Sequence, residues 1–199
     1  NGSVYLNDTW ELDVANGMWM QRASTGPSIR GYHSLAYDPA RQRTVLFGGV
    51  AAANIGDTWE WNGTTGTWTQ RASTGPSARH GADLVYDSAR KRMVLFGGHN
   101  GSAATQDTWE WDGSAWVQRA TTGPPIRWVH NLAYDPVRDR TILFGGYQGA
   151  NPGLGDTWEW NGTAGTWTNR APGSAPSTRW GLSLTYAAAA SRIVVETVA

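Results

Sequence analysis

The chain has 199 residues, with 16 basic and 16 acidic side chains, so its formal net charge is zero. A neutral chain lacks the electrostatic footprint of a protein that binds nucleic acid or an anionic membrane, and neither partner is expected. Cysteine is absent, which excludes disulfides, thiolate metal sites and cysteine nucleophiles. No apolar run approaches the ~20 residues of a membrane span. The unusual feature of the composition is its 13 tryptophans and 25 glycines.

The first residue is Asn1 rather than Met, and no signal-like segment follows it. We expect a soluble protein whose compartment the sequence does not assign. Removal of a leader, and with it secretion, is one open explanation for this start.

A repeat of about 50 residues organises the chain. The string Asp-Thr-Trp-Glu recurs in steps of 49, 50 and 49 residues, starting at Asp8, Asp57, Asp107 and Asp156. Two further landmarks keep the same phase: Phe-Gly-Gly, starting at Phe47, Phe96 and Phe144, and Tyr-Asp, starting at Tyr37, Tyr86 and Tyr134. A second tryptophan follows each Asp-Thr-Trp string, at Trp19, Trp68, Trp116 and Trp167.

Each repeat predicts four short strands. In the first full copy they cover residues 32–37, 44–47, 58–61 and 68–70, runs that are rich in Val, Thr, Tyr and Trp. Turn formers such as Asp38-Pro39 and Asn62-Gly63 lie between them. No window holds a 3.6-residue period, so helix should be nearly absent.

These residues resemble a known family, the kelch repeat. The resemblance rests on Arg79, Tyr86-Asp87, the run Val94–Gly98, Asp107-Thr108-Trp109 and Trp116, and its copies extend over nearly the whole chain. It implies an all-β fold, a β-propeller of four-stranded blades with the first strand of each blade innermost. Large aromatics would then fill the spaces between neighbouring blades.

The two ends of the sequence are complementary halves of one repeat. We expect a single propeller domain over 1–199, with full blades at 30–78, 79–126 and 127–178. Residues 179–199 would supply the front half of a split blade and residues 1–29 its back half. Pairing strands from both ends would close a ring of four blades and remove its exposed sheet edges.

Two alternatives stay open, because kelch rings usually have six or seven blades. Two chains could combine into one eight-bladed ring through the same complementary ends. The chain could instead be part of a longer propeller. The expected state is a monomer, and mass in solution separates it from the dimer.

The candidate ligand site is the mouth formed by the loops before strand one and after strand two. Arginines precede each first strand, and variable residues follow them, which is where a specific site is expected over a repeated frame. The candidate ligand-binding residues are Arg30, Arg79, Arg127, Arg179, Tyr32, His33, Trp128, His130, Trp180, His99 and Tyr147. In kelch proteins, the resemblance implies, such arginines contact acidic partners. The competing interpretation is that each arginine pairs with a carboxylate or carbonyl of the scaffold.

Catalysis has little support in the sequence. Gly-x-Ser-x-Gly is absent, the histidines lack metal-ligand spacing, and the glutamates of Asp-Thr-Trp-Glu recur in every repeat, as structural residues do. We predict no catalytic residues, no metal and no cofactor.

The leading functional hypothesis is therefore a non-enzymatic recognition module that holds a protein or peptide at the arginine-bearing mouth. The first alternative is a carbohydrate-binding, lectin-like module that uses Trp128, Trp180, Tyr32 and Tyr147, since aromatic rings stack on sugar faces. A small-molecule isomerase or lyase is a third. Exposure of Trp128 and Trp180 discriminates the second hypothesis from the first.

Overall fold

The computed structural model describes residues 5–149 and 153–196. Sixteen short strands and one 3₁₀ turn make up the regular structure of these residues. The strands are β1 (Thr9–Asp13), β2 (Met18–Ala23), β3 (Ser34–Asp38), β4 (Arg43–Phe47), β5 (Thr58–Asn62), β6 (Thr67–Ala72), β7 (Asp83–Asp87), β8 (Arg92–Phe96), β9 (Thr108–Trp111), β10 (Trp116–Ala120), β11 (Asn131–Asp135), β12 (Arg140–Phe144), β13 (Thr157–Asn161), β14 (Thr166–Arg170), β15 (Ser183–Ala187) and β16 (Arg192–Glu196). The 3₁₀ turn, Ala188–Ala190, separates the last two.

The strands form five antiparallel sheets. Three have four strands in chain order, here called the first sheet (β3–β6), the second sheet (β7–β10) and the third sheet (β11–β14). Two have two strands, here called the N-terminal pair (β1–β2) and the C-terminal pair (β15–β16). The chain is thus an all-β repeat protein, as the sequence predicts.

The predicted strands of the first full copy are confirmed within one or two residues at each end, and the start of the first one shows why they differ. That strand begins at Ser34 rather than at Tyr32, because Tyr32 has φ of +54° and cannot continue an extended chain. The same left-handed conformation occurs in the copies of this position, at Gly81, Val129 and Gly181. It turns the chain from the mouth loop into the strand.

Both faces of the second strand of each four-stranded sheet are covered, which explains its run of apolar residues. Val45, Val94 and Ile142 occupy equivalent positions in the three sheets and all are buried. Phe47, Leu84, Met93 and Trp111 pack together across the junction of the first two sheets. Burial of such side chains contributes roughly 1.5–3 kcal/mol each relative to exposure.

Neighbouring sheets are also joined by indole hydrogen bonds. The Nε1–H groups of Trp68, Trp116 and Trp167 each donate over 2.8 Å to a threonine hydroxyl of the preceding sheet or pair: Thr9, Thr58 and Thr108. The predicted role of tryptophan between repeats is confirmed at these junctions.

The first strands of neighbouring units lie next to one another. Strands β3, β7, β11 and β15 are successive neighbours, and side chains from all four line one cavity of about 390 Å³. The sheets are therefore arranged side by side, in chain order, through these four strands.

The predicted closure of a ring is not seen among the described residues. Within them β1 pairs only with β2, and β16 pairs only with β15, so the terminal pairs form separate sheets. Residues 197–199, where the notional blade would continue, lie outside the described part of the chain. Leu35, Trp10 and Trp19 are exposed at the open end next to the N-terminal pair.

Within residues 5–149 and 153–196, no helix has the length and apolar character that crossing a membrane would require.

Candidate functional site

The mouth loops of each sheet are held together by backbone bridges. The residue after the mouth arginine bridges the residue after the double glycine: Gly31 with Val50, His80 with His99, and Trp128 with Tyr147. Each bridge places two variable side chains at one edge of its sheet. The variable positions that the sequence singles out are thus adjacent in space.

The double glycines are required by the approach of the next sheet. Gly97 has φ of +64°, and a Cβ atom there would lie 2.6 Å from the carbonyl oxygen of Arg127. Gly98 donates its N–H to that oxygen over 2.9 Å. A larger residue would separate the sheets at the mouth, so glycine here serves the junction as well as the turn.

Three of the four mouth arginines lie inside the scaffold. The guanidinium groups of Arg30, Arg79 and Arg127 make paired hydrogen bonds to Asp57, Asp107 and Asp156, over distances of 2.5–3.0 Å. Each also donates to a carbonyl of the double glycine: Gly48, Gly97 and Gly145. Arg127 is 0% exposed. These three side chains are buried in the scaffold, and their role as ligand contacts stays a prediction.

The carboxylate partners stay ionised in this setting. Burial alone would raise the pKa of Asp107, but hydrogen bonds from Arg79 and Trp109 hold its pKa below the ordinary value. Asp57 and Asp156 show the same direction of shift for the same reasons. Each of these arginines precedes its aspartate by 27, 28 or 29 positions, a spacing that any two landmarks of the repeat would keep.

Arg179 is placed differently from the other three. Its side chain is only partly buried, and it donates to the carbonyl and hydroxyl oxygens of Ser177 over 3.0 Å. Arg30 and Arg79 make the same two contacts, to Ser28 and Ser77, so the difference of Arg179 from its copies is its greater exposure.

Above the arginines, six aromatic side chains form a continuous strip, here called the aromatic rim: Tyr32, His80, His99, Trp128, Tyr147 and Trp180. Ring centroids are 6.1 Å apart from Tyr32 to His80 and 5.2 Å apart from His80 to Trp128. They are 5.9 Å apart from Trp128 to Tyr147 and from Tyr147 to Trp180. His99 contacts both His80 and Trp128 at 5.4 Å. The rim thus crosses every junction from the first sheet to the C-terminal pair.

The rim is accessible, most of all at its ends. Tyr32 is 60% exposed and Trp180 is 52% exposed, while His80, His99, Trp128 and Tyr147 are half-buried. The two tryptophans that discriminate between the functional hypotheses are therefore not buried between sheets.

A chain of backbone hydrogen bonds lies under the rim. Gly81 N–H donates to the Tyr32 carbonyl, Val129 N–H to the Gly81 carbonyl, and Gly181 N–H to the Val129 carbonyl, over 2.7–3.0 Å. Val129 holds φ of +49°, a costly conformation for a β-branched residue. The hydrogen bonds of its N–H and carbonyl groups hold it in that conformation. The main chain therefore fixes the positions of the neighbouring rim residues.

Two predicted histidines lie outside the rim. His130 is buried against Phe96, and burial, with Arg127 nearby, lowers its pKa to about 3. It is neutral and buried, and its role as a ligand contact stays a prediction. His33 is exposed, and it lines a cavity of about 230 Å³ between the N-terminal pair and the first sheet.

Sequence reasoning omitted His80 from the ligand candidates, together with its partner Asn54. His80 Nδ1 lies 2.7 Å from Asn54 Oδ1, in the loop after the double glycine of the first sheet. Burial and the neighbouring His99 lower the pKa of His80, so its ring is neutral at pH 7. The sequence could have indicated His80, because it follows Arg79 as the candidate Trp128 follows Arg127 and so occupies the same position of the repeat.

No three His, Asp or Glu side chains of the described residues come together as a metal site would need. Comparison with models of known families finds no match to the chain, and comparison with curated proteins finds none either. The likeness to kelch repeats therefore rests on the sequence pattern alone.

Proposed function

We propose that this protein is a non-enzymatic recognition module that binds a carbohydrate along the aromatic rim. The observation that carries the proposal is the unbroken series of ring contacts from Tyr32 to Trp180, with both end residues more than half exposed. Solvent-exposed aromatic rings in a row are costly to leave in water and are suited to stack against the apolar faces of sugar rings.

The rim also has the rigidity that recognition needs. Its side chains stand on bridged loops joined by backbone hydrogen bonds from Tyr32 to Gly181. A ligand that binds there would not have to order a loop first, which lowers the entropic cost of binding.

A protein or peptide ligand at the mouth remains the competing proposal. That proposal needs guanidinium groups that can bind an acidic partner. Arg30, Arg79 and Arg127 instead form ion pairs with carboxylates of the scaffold, which weakens its support. The rim residues are shared by both proposals. The ligand class is therefore the first thing to measure.

The test is a glycan array run in parallel with a peptide array that includes acidic sequences. We expect binding to saccharides that is lost in Tyr32→Ala and Trp180→Ala. Tyr37→Ala is the matched control, because Tyr37 is 55% exposed but lies at the far end of β3, away from the rim. Selective peptide binding, or equal saccharide binding by all three variants, would contradict the proposal.

For the architecture, we propose that the repeated sheets are kelch blades of a β-propeller in which β16 pairs with β1. Two observations support it. The first strands of four units line one shared cavity, as the first strands of blades around an axis would. The series of indole-to-threonine hydrogen bonds could also continue across the closure. Trp19 occupies the donor position and Thr157 the acceptor position that such a next bond would use. A ring of four blades within one chain is the simplest closed form.

A further inference from the structure

His80 and His99 form the middle of the aromatic rim and are bridged to each other through their backbones. The His80 N–H donates to the His99 carbonyl over 3.1 Å, and the reverse bond is 2.8 Å long. Their rings lie 5.4 Å apart, and Trp128 contacts both, at 5.2 and 5.4 Å. The three rings therefore form one compact surface.

Hydrogen bonds fix which nitrogen of His80 carries the proton. Asn54 donates its Nδ2–H to the His99 carbonyl over 3.1 Å, and this orients its amide oxygen toward His80. That oxygen lies 2.7 Å from Nδ1 of His80, so Nδ1 must be the donor. In the neutral ring, Nε2 of His80 is then an acceptor.

His99 has the opposite arrangement. Its Nδ1 accepts the backbone N–H of Gly101 over 3.1 Å. In the neutral ring the proton must therefore be on Nε2, which is a donor. The pair thus carries one acceptor nitrogen and one donor nitrogen on neighbouring rings.

Within residues 5–149 and 153–196, the surroundings of this pair carry no net charge. The titratable groups among them that face His80 are Tyr32 and His99, and the remaining contacts are Asn54 and Trp128. The adjacent cation, Arg79, directs its guanidinium into Asp107. A negatively charged ligand would thus find no free cation beside the two histidines in the described part of the chain.

We infer that the rim selects a neutral saccharide with two adjacent hydroxyl groups, one donating to His80 Nε2 and the other accepting from His99 Nε2–H. Its ring would pack against Trp128, and Asn54 would act as a positioning residue that holds the His80 tautomer. This inference rests on the proposed function and adds the class of saccharide. A hydroxyl group can donate or accept, so a vicinal pair satisfies both nitrogens at once.

One consequence is a dependence on pH. Protonated His80 has N–H groups on both nitrogens and loses its acceptor. Because burial and His99 lower the pKa of His80, binding should be constant at pH 7–8 and fall only as the pH drops below 6.5. A purely aromatic stacking site would not show this fall.

The first experiment measures the tautomers without any ligand, by long-range ¹H–¹⁵N correlation of the imidazole rings at pH 7.5. We expect an unprotonated Nε2 in His80 and an unprotonated Nδ1 in His99. In Asn54→Ala, His80 should become a mixture of tautomers while His99 keeps its own. An unprotonated Nδ1 in His80 of the parent protein would overturn the inference, whatever the saccharide data show.

The second experiment titrates neutral methyl glycosides of glucose, galactose and mannose, their monodeoxy analogues, and the methyl glycoside of glucuronic acid. For the best glycoside, loss of one hydroxyl of the recognised pair should weaken binding about tenfold. The variant His80→Trp with His99→Tyr, which copies the residues of the third sheet, should bind parent and deoxy glycosides alike.

The outcomes separate this inference from the proposed function. If glycosides bind and the Trp180→Ala variant loses them, but the double histidine variant still discriminates deoxy analogues, only the inference fails. Preference for the glucuronide over the neutral glycosides would also overturn it. If no glycoside binds and no rim variant changes any binding, both fail.

Discussion

The indole N–H of Trp116 on the second sheet donates to the hydroxyl of Thr58 on the first sheet over 2.8 Å. The relationship has a direction, since every donor lies one sheet later than its acceptor. Thr58 and Thr108 are fully buried by it, whereas Thr157, in the last acceptor position, is partly exposed. At the other end of the array Trp19, the first donor position, is exposed. The two ends of the array are therefore complementary.

Pairing of β16 with β1 can be tested by a disulfide in a chain that has no cysteine of its own. In the first sheet, Leu46 of β4 lies opposite Trp59 of β5. The equivalent positions of the repeat are Val195 on β16 and Trp10 on β1, so these two residues should lie opposite each other if the strands pair. We expect the Val195→Cys and Trp10→Cys variant to oxidise readily, because opposite residues of an antiparallel pair have Cα atoms within disulfide reach. Mass spectrometry and light scattering provide the measurement.

Val194→Cys with Trp10→Cys is the control, because a shift of one residue directs the two side chains to opposite faces. A crosslink within one chain agrees with a ring of four sheets, and a linked dimer agrees with a ring made of two copies. Equal crosslinking in both variants, or in neither, would count against the pairing.

The packing between sheets predicts that alanine substitutions at two equivalent positions of the repeat will reduce the free energy of unfolding by very different amounts. Trp111 is 0% exposed at the junction of the first two sheets, and its counterpart on β1, Leu12, is 42% exposed. Trp111→Ala should reduce the free energy of unfolding by about 3–5 kcal/mol, because it leaves a cavity. Leu12→Ala should cost less than about 1 kcal/mol. Urea titrations of both variants check this, and similar costs would show that the junction is loosely packed.

The arginines of the mouth should prove structural when they are removed one at a time. Arg127→Ala leaves the carboxylate of Asp156 and the carbonyl of Gly145 without their donor, so we expect a loss of roughly 3 kcal/mol. Arg79→Ala should behave alike, and the exposed Arg192→Ala serves as the control. Thermal melts give the measurement. A parent-like melting temperature for Arg127→Ala would return this residue to the ligand candidates.

Asp83 predicts an unusual dependence of stability on pH. Burial raises its pKa to about 7, although it accepts the N–H groups of Leu132 and Leu84. A carboxyl that holds its proton more tightly when folded makes the protein more stable at low pH. This stabilisation is complete below the unfolded pKa of about 4 and is lost as pH rises toward 7.

Asp83→Asn tests that prediction with the residue that the third sheet uses, since Asn131 accepts the Leu184 N–H at the equivalent position. Above pH 7 the variant should be more stable, on the order of 4 kcal/mol for a pKa raised from 3.8 to about 7, or about 8–16 °C in melting temperature. At pH 4 it should match the parent. A variant that is less stable at both pH values would show that Asp83 is ionised in the fold.

Much of the fold follows from the sequence, because the landmarks recur in phase and the strands between them are short and β-branched. The glutamates of the Asp-Thr-Trp-Glu strings recur in every repeat, which predicts a structural role, and in the structure they lie beside the arginine that ends strand four. Arg119 and Arg170 form ion pairs with Glu110 and Glu159 at 2.9 and 2.7 Å. Repetition favoured a structural role for these residues, and repetition was a reliable guide.

The site was harder to predict, for the opposite reason. The arginines also recur in every repeat, but their position at the mouth suggested a ligand, and only the fold brings Arg79 onto Asp107. The properties of His80 depend on Asn54, which belongs to the preceding sheet and lies 26 positions away. No local pattern records such a contact, so the tautomer that defines the proposed ligand could come only from the structure.

The backbone connection beneath the rim has a practical consequence. Because Tyr32, Gly81, Val129 and Gly181 are linked through their main chains, the variable residues beside them can be exchanged without loss of that linkage. The four repeats already illustrate this exchange, with Gly31, His80, Trp128 and Trp180 at one position. A combinatorial library restricted to these positions and their bridged partners would keep its scaffold, so the mouth is a natural place to engineer new binding specificities.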